Sequence, residues 1–148
     1  MADYDTIQID WDGEVNEELL LSVMRFARSR ETVDDSAAID VLITTDAVIY
    51  QLNKEYRGIE TTTDVLSFEI GRDENEPDDF WVLGQIVISG EQALKQSKEL
   101  GVSLDEELAR LLTHGLLHLV GYDHDEPDSA TIMHITTDEI LSAVLDTK

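Results

Sequence analysis

The sequence predicts an α+β domain in which a mixed sheet of roughly four strands packs against about five helices. Segments with apolar period two and segments with period near 3.6 both recur along the chain, so strands and helices are both expected. They do not alternate strictly, which favours an α+β arrangement. No internal repeat or linker interrupts them, so residues 1–148 read as one domain.

Tyr4 to Asp10 alternates polar and apolar residues and reads as a first strand, ended by the turn signal Asp12-Gly13. From Glu14, Val15, Leu19, Val23 and Phe26 recur at helical spacing, joined by Leu20, Met24 and Ala27. Arg25, Arg28 and Arg30 load the end of this helix and are read as complementing its dipole rather than contacting nucleic acid. After an acidic loop, Glu31 to Ser36, Ile39 to Thr44 reads as a buried strand. Thr45 or Asp46 caps a helix with an apolar stripe of Val48, Ile49 and Leu52, running to about Tyr56 and stopped by Gly58.

Val65 to Ile70 is the next strand, with Leu66, Phe68 and Ile70 on one face and Val65, Ser67 and Glu69 on the other. Gly71 to Asp79 carries five acids and a proline and is expected to be an exposed loop. Val82 to Ser89 is a further strand, where Gly84 marks the close approach of a ligand or of neighbouring backbone. Glu91 to Leu100 is a short helix closed by Gly101. Ser103-Leu104-Asp105-Glu106 is a capping box that opens a helix from about Leu104 to Val120. Leu108, Leu111, Leu112, Leu116, Leu117 and Leu119 wrap most of that helix, so it belongs in the middle of the fold. A last helix begins at Pro127, with Ile132, Met133, Ile140, Leu141 and Val144 expected inward.

Hydrophobic residues form 42% of the chain, as suits a globular protein. With no cysteine, no signal-like N-terminus and no apolar run near the ~20 residues of a membrane span, a cytoplasmic location is expected. The formal charge of −23 is unusual for a protein that meets polyanions. It reads either as adaptation to a salty cytoplasm or as a sign that recognition uses a local basic patch, with protein partners on a larger particle.

Three of the four histidines fall in the stretch His114-Gly115-Leu116-Leu117-His118-Leu119-Val120-Gly121-Tyr122-Asp123-His124. His114 and His118 lie on one helical face, about 6 Å apart along the axis. Gly121 follows the helix end and lets the chain turn back, bringing His124 toward the same point. Three neutral imidazoles suit one Zn²⁺ per chain and leave its fourth position to water, as in catalytic rather than structural sites. His134 has no partner at ligand spacing and is read as a structural histidine.

The motif HGLLHLVGYDH resembles the signature of the YbeY family, metal-dependent endoribonucleases of bacterial ribosomal RNA maturation. Two further stretches carry the same resemblance. One is Leu52-Asn53-Lys54-Glu55-Tyr56-Arg57 followed by Thr63-Asp64-Val65-Leu66-Ser67-Phe68. The other is Leu83-Gly84-Gln85-Ile86-Val87-Ile88-Ser89, where Gln85 stands in place of the family's usual Asp. The resemblance implies a zincin-like α+β fold. It also implies a single-strand-specific endoribonuclease that acts on precursor ribosomal RNA, in processing of the 16S 3′ end and in ribosome quality control, with ribosomal proteins as further partners.

In that reading Zn²⁺ sits on His114, His118 and His124, and Arg57 grips a phosphate with two parallel hydrogen bonds and stabilises developing charge. On position alone, Arg57 reads equally as a phosphate-binding group projecting into a cleft and as a residue that merely caps the helix or pairs with Asp64. Asp64 is either a strand anchor or an acceptor for a metal-bound imidazole. Asp123 is either such an acceptor or a turn-stabilising residue. Gln85 can orient water or bond a ligand but cannot act as a base.

The sequence also fits two rival readings. One is a zinc hydrolase of peptide or amide bonds, since the motif also resembles the metzincin pattern, although Gly115 occupies the position of its general-base Glu. The other is a ribosome-assembly or RNA-binding factor whose metal only holds the fold.

Overall fold

A computed structural model describes residues 4–71, 81–123 and 125–145, and four strands and five helices lie among them. In chain order these are β1 (Thr6–Ile9), α1 (Glu17–Arg30), β2 (Ala37–Thr44), α2 (Asp46–Arg57), β3 (Val65–Glu69), β4 (Trp81–Ser89), α3 (Gly90–Leu100), α4 (Leu104–Leu119) and α5 (Pro127–Leu145). The sheet order is β1-β2-β4-β3. The first three strands run parallel, and β3 pairs antiparallel with β4 at the edge. The α+β class and the mixed sheet are therefore as the sequence predicts. The acidic stretch after Gly71 and the ligand candidate His124 lie outside the described residues.

Strand alternation sorts the side chains between two cores. Ile39, Val41 and Ile43 of β2 and Ile86 and Ile88 of β4 join the main core with α1, α3, α4 and α5. Leu66 of β3 and Val87 of β4 face the other way and pack with Ile49 of α2. α4 lies at the centre of the larger core: Leu108, Leu111, Leu112, Leu116 and Leu117 are all buried. Each such leucine contributes about 1.5–3 kcal/mol on burial, enough to fix the helix against the sheet whatever its polar face does.

Two glycines let α4 lie that close. A Cβ at Gly84 would stand 2.5 Å from Leu119 Cδ2 and 2.6 Å from the Phe68 carbonyl oxygen. The close approach expected there is thus with neighbouring backbone and a helix side chain. A Cβ at Gly115 would meet Ile86 Cγ2 at 2.7 Å.

Several boundaries and faces differ from the sequence expectation. α1 starts at Glu17 rather than Glu14, because Asn16 supplies the cap and accepts the Leu19 N–H. Its Phe26 lies beside the buried stripe and is exposed. Arg28 is not a surface dipole residue: it is buried, donates to Asp5 Oδ1 at 2.8 Å and to the Asp34 carbonyl at 2.9 Å. On α5, Ile132 points to solvent at 56% exposure, while Thr136 and Thr137 are buried with Met133, Ile140 and Val144. The two threonine hydroxyls donate to the carbonyls of Ile132 and Met133, each at 2.8 Å, which removes the cost of burying them. Met133, Ile140 and Val144 are inward as expected and Leu141 packs against the core, so Ile132 alone of the five departs from the expectation.

Candidate active site

From Leu111 to Leu119 every residue of α4 is buried except His114 and His118, which are half-buried. Their spacing places them one above the other on the stripe that the leucines leave free. Both border one cavity of about 430 Å³ between α4 and the edge strand β3. Its other walls are Val65 and Ser67 of β3, Thr63 and Asp64 just before it, Arg57 at the end of α2, and Asp125 beyond α4.

Each wall is held by identifiable bonds. Ser67 Oγ donates to the Gly115 carbonyl at 3.1 Å, joining β3 to α4 between the two histidines. Ser89 N–H donates to the Asp64 carbonyl at 2.9 Å, so the Asp64 backbone is anchored at the end of β4. Asp46 ties the start of α2 to the end of β4, the start of α3 and the segment before β3, accepting from Ser89 Oγ, Thr62 Oγ1 and Gln92 Nε2. Asn53 is buried and donates through Nδ2 to the Thr61 carbonyl at 2.9 Å, which holds the segment after α2 along the outside of β3.

α2 ends through Gly58, in the left-handed conformation at φ 68°, whose N–H reaches the Lys54 carbonyl at 3.1 Å. The cap is therefore backbone-made and leaves Arg57 free of that task. Arg57 makes no ion pair with Asp64 or any other acid among the described residues, whereas neighbouring Lys54 pairs with Glu60 at 3.8 Å. Arg110, one turn before His114, is bound by the fully buried Glu107 through Nε at 2.8 Å and through NH2. That bond, outweighing burial, holds the Arg110 guanidinium above its ordinary pKa. The Glu107 charge is thus spent on Arg110, and among the described residues Arg57 is the cation that lines the cavity.

Beyond α4 the chain reverses at Gly121, with φ 110°, a conformation that side-chain-bearing residues rarely adopt. Tyr122 N–H bonds the Leu117 carbonyl at 3.0 Å, and its ring packs against the main core. Burial first, then a hydrogen bond with Glu31, pushes the Tyr122 phenol above its usual range. Asp123 Oδ1 accepts the Asp125 N–H at 3.1 Å, the turn-stabilising arrangement, and its side chain is exposed away from the cavity.

Of the sequence candidates, Arg57, Asp64, His114 and His118 thus meet at one cleft, and Asp123 and Gln85 do not border it. Gln85 sits between Gly84 and Ile86, which face α4. Strand alternation therefore turns its side chain to the α2 face of the sheet, opposite Phe68. With His124 outside the described residues, no three His, Asp or Glu side chains among the described residues converge as a metal requires. His134 is exposed on α5 beside Asp138, 3.4 Å away. The cavity is also lined by Asp125 and Ser67, which the motifs do not mark as site residues. Ser67 had a legible signal, since period two puts it on the face opposite Leu66 and Phe68; Asp125 had none beyond adjoining His124.

A larger depression of about 1090 Å³ lies at the ends of β1 and β2 beside α3, lined by Trp11, Lys95 and Lys98 among others, with no histidine. Size alone does not make it the reaction centre. The chemistry-bearing residue types converge at the smaller cleft.

Fold and cleft define a class: an α+β protein with paired helix histidines and an arginine lining one cleft beside the last-paired strand of its sheet. The family model for endoribonuclease YbeY matches residues 3–145. An endoribonuclease YbeY of Moorella thermoacetica is 42% identical over 142 residues, covering 90% of this chain and 91% of its own. That of Bacillus subtilis is 39% identical over 148 residues, covering 91% and 92%. The solution structure of TM1509 from Thermotoga maritima superposes with a TM-score of 0.63 at 24% identity, over 95% of this chain and 90% of that one, a likeness of fold. The chain belongs to the YbeY family of endoribonucleases.

Proposed function

We propose that this chain is a zinc-dependent endoribonuclease that cuts single-stranded precursor ribosomal RNA in the cytoplasm, working as one domain. One Zn²⁺ per chain is held by His114, His118 and His124, and Arg57 binds the phosphate to be cleaved. The observation that carries this reading is that Arg57 from α2 and His114 and His118 from α4 border the same cavity, with no described acid on Arg57. Two imidazoles one helical turn apart are donors of the kind such an ion takes, and the Asp125 carboxylate lines the same cavity from beyond α4. The names of the relatives support RNA as the substrate. No helix among the described residues is long and apolar enough to cross a membrane.

When bound, the ion supplies Lewis acidity toward water and a phosphate oxygen. The protein does the rest. Arg57 aligns the phosphate with two parallel N–H bonds and stabilises charge that grows on its oxygens. Asp64, anchored through its backbone, offers a carboxylate to an imidazole N–H, fixing the ring's tautomer. The buried leucines of α4 keep the two imidazoles from turning away.

A peptidase reading is disfavoured by Gly115. A Glu there would force its Cβ to within 2.7 Å of Ile86 Cγ2, so this backbone has no room for the general base of that class. The test is metal analysis combined with cleavage of precursor ribosomal RNA, with peptide substrates and chelator as controls. RNA cleavage lost on chelation supports the proposal, and peptide cleavage or chelator-resistant RNA cleavage opposes it.

A further inference from the structure

The α2 face of the sheet, behind the cleft, carries an aromatic pair that the proposed chemistry does not use. Tyr56 is 69% exposed, and its ring meets Phe68 edge-to-face with centroids 5.6 Å apart and planes at 66°. An aromatic side chain in that much water gains little for folding. Phe68 nevertheless fixes its orientation, so little freedom remains to be lost if a flat ligand stacks on the open ring. Tyr56 directly precedes Arg57. Successive helix residues diverge by about 100°, so Tyr56 turns to the Phe68 face while Arg57 turns to the histidine cleft. The two side chains thus straddle the edge strand β3. Gln85, in register with Phe68, lies on the same face and is neutral. Nearby Lys54 pairs with Glu60 at 3.8 Å.

We propose that Tyr56, braced by Phe68, stacks a nucleobase of the single-stranded RNA whose neighbouring phosphate Arg57 holds. The strand then crosses the edge of the sheet, backbone toward the cleft and base toward the α2 face. A duplex cannot bind this way, because its bases are stacked on one another, so the platform selects single strands. Stacking accepts any base, and it holds RNA against an acidic protein without relying on charge.

This inference rests on the endoribonuclease reading for its substrate, so binding and cleavage are measured separately. Binding of a labelled single-stranded RNA is read by fluorescence anisotropy in chelator, and cleavage of the same RNA is read with zinc. Tyr56→Ala is expected to weaken binding and raise KM by about tenfold with kcat changed much less, and Tyr56→Phe to restore both, since the ring rather than the hydroxyl does the stacking. An RNA with one base removed at the stacked position should bind wild-type protein about tenfold more weakly, yet lose nothing further with Tyr56→Ala, because ring and base are the two halves of one contact.

Binding by Tyr56→Ala within twofold of wild type overturns the proposal, as do ring and base losses that multiply at every position scanned. Tyr56-dependent binding without cleavage upholds the platform and removes the endoribonuclease reading. Cleavage without any Tyr56 dependence does the reverse.

Discussion

Gly115→Ala adds one methyl group where α4 touches the sheet, and its effect can be worked out from the contacts. The new Cβ would lie 2.7 Å from Ile86 Cγ2, 3.2 Å from Ser67 Oγ and 3.3 Å from Ile86 Cγ1. Ile86 is fully buried in the main core and cannot swing aside. Overpacking of this kind costs about 1–3 kcal/mol. Alanine is favoured over glycine within a helix by about 1 kcal/mol, which offsets part of it. The net expectation is a loss of about 1 kcal/mol, read as a Tm lower by roughly 2–4 °C in a chain of this size. The strain is relieved by moving α4 outward by a few tenths of an ångström, which carries His114 and His118 away from Arg57 and should lower cleavage roughly tenfold.

The assay is thermal unfolding of Gly115→Ala alone and in an Ile86→Ala background, with cleavage measured on the same preparations. In that background the added methyl has room, so the substitution should become neutral or stabilising. Equal cost in both backgrounds, or a Gly115→Ala protein more stable than wild type with unchanged cleavage, would refute the packing argument.

Three other outcomes follow from the site. Arg57→Ala should leave Tm and metal content unchanged while lowering kcat by roughly 10²–10³, with partial recovery in Arg57→Lys, as kinetics and metal analysis on matched samples will read. His118→Ala should lose most bound metal and His134→Ala none; in the wild type, affinity should fall as pH drops through the range where imidazole takes a proton, followed by competition with a chromogenic chelator. For Tyr122 the folded state favours the neutral phenol, so its contribution is complete below the ordinary phenol range and is lost as pH rises through the raised value. Tyr122→Phe should be less stable by about 1 kcal/mol at neutral pH and show a flatter decline above about pH 10 in denaturant titrations.

Element order and the central helix were legible because α4 states its case several times over: capping box, leucine wrap and a glycine after its end. The paired histidines were legible for the same reason, since spacing on a helix translates directly into a shared face. Legibility failed where side chains act across space. Arg28 looks like a dipole-compensating surface residue until Asp5, 23 positions away, is seen to bind it in the interior. Thr136 and Thr137 do not read as core positions because their hydroxyls are satisfied only once the helix exists. Gln85 stands inside a motif that points to the site, yet period two from Ile86 puts its side chain on the opposite face of the sheet. The segment after α2 shows no period at all, yet Asn53 and Asp46 hold it where Asp64 and Thr63 can wall the cleft.

In the proposed reaction, one metal ion on the α4 histidines and the Arg57 guanidinium facing it together cut RNA. The most direct measurement of that reaction is cleavage of single-stranded precursor ribosomal RNA by purified protein whose zinc content is determined, before chelation, after chelation and after zinc is returned. Expected are about one zinc per chain, endonucleolytic products lost on chelation and regained with zinc, and no regain in His118→Ala. Cleavage that persists in the chelated protein at its original rate, or that His118→Ala retains in full, would contradict it.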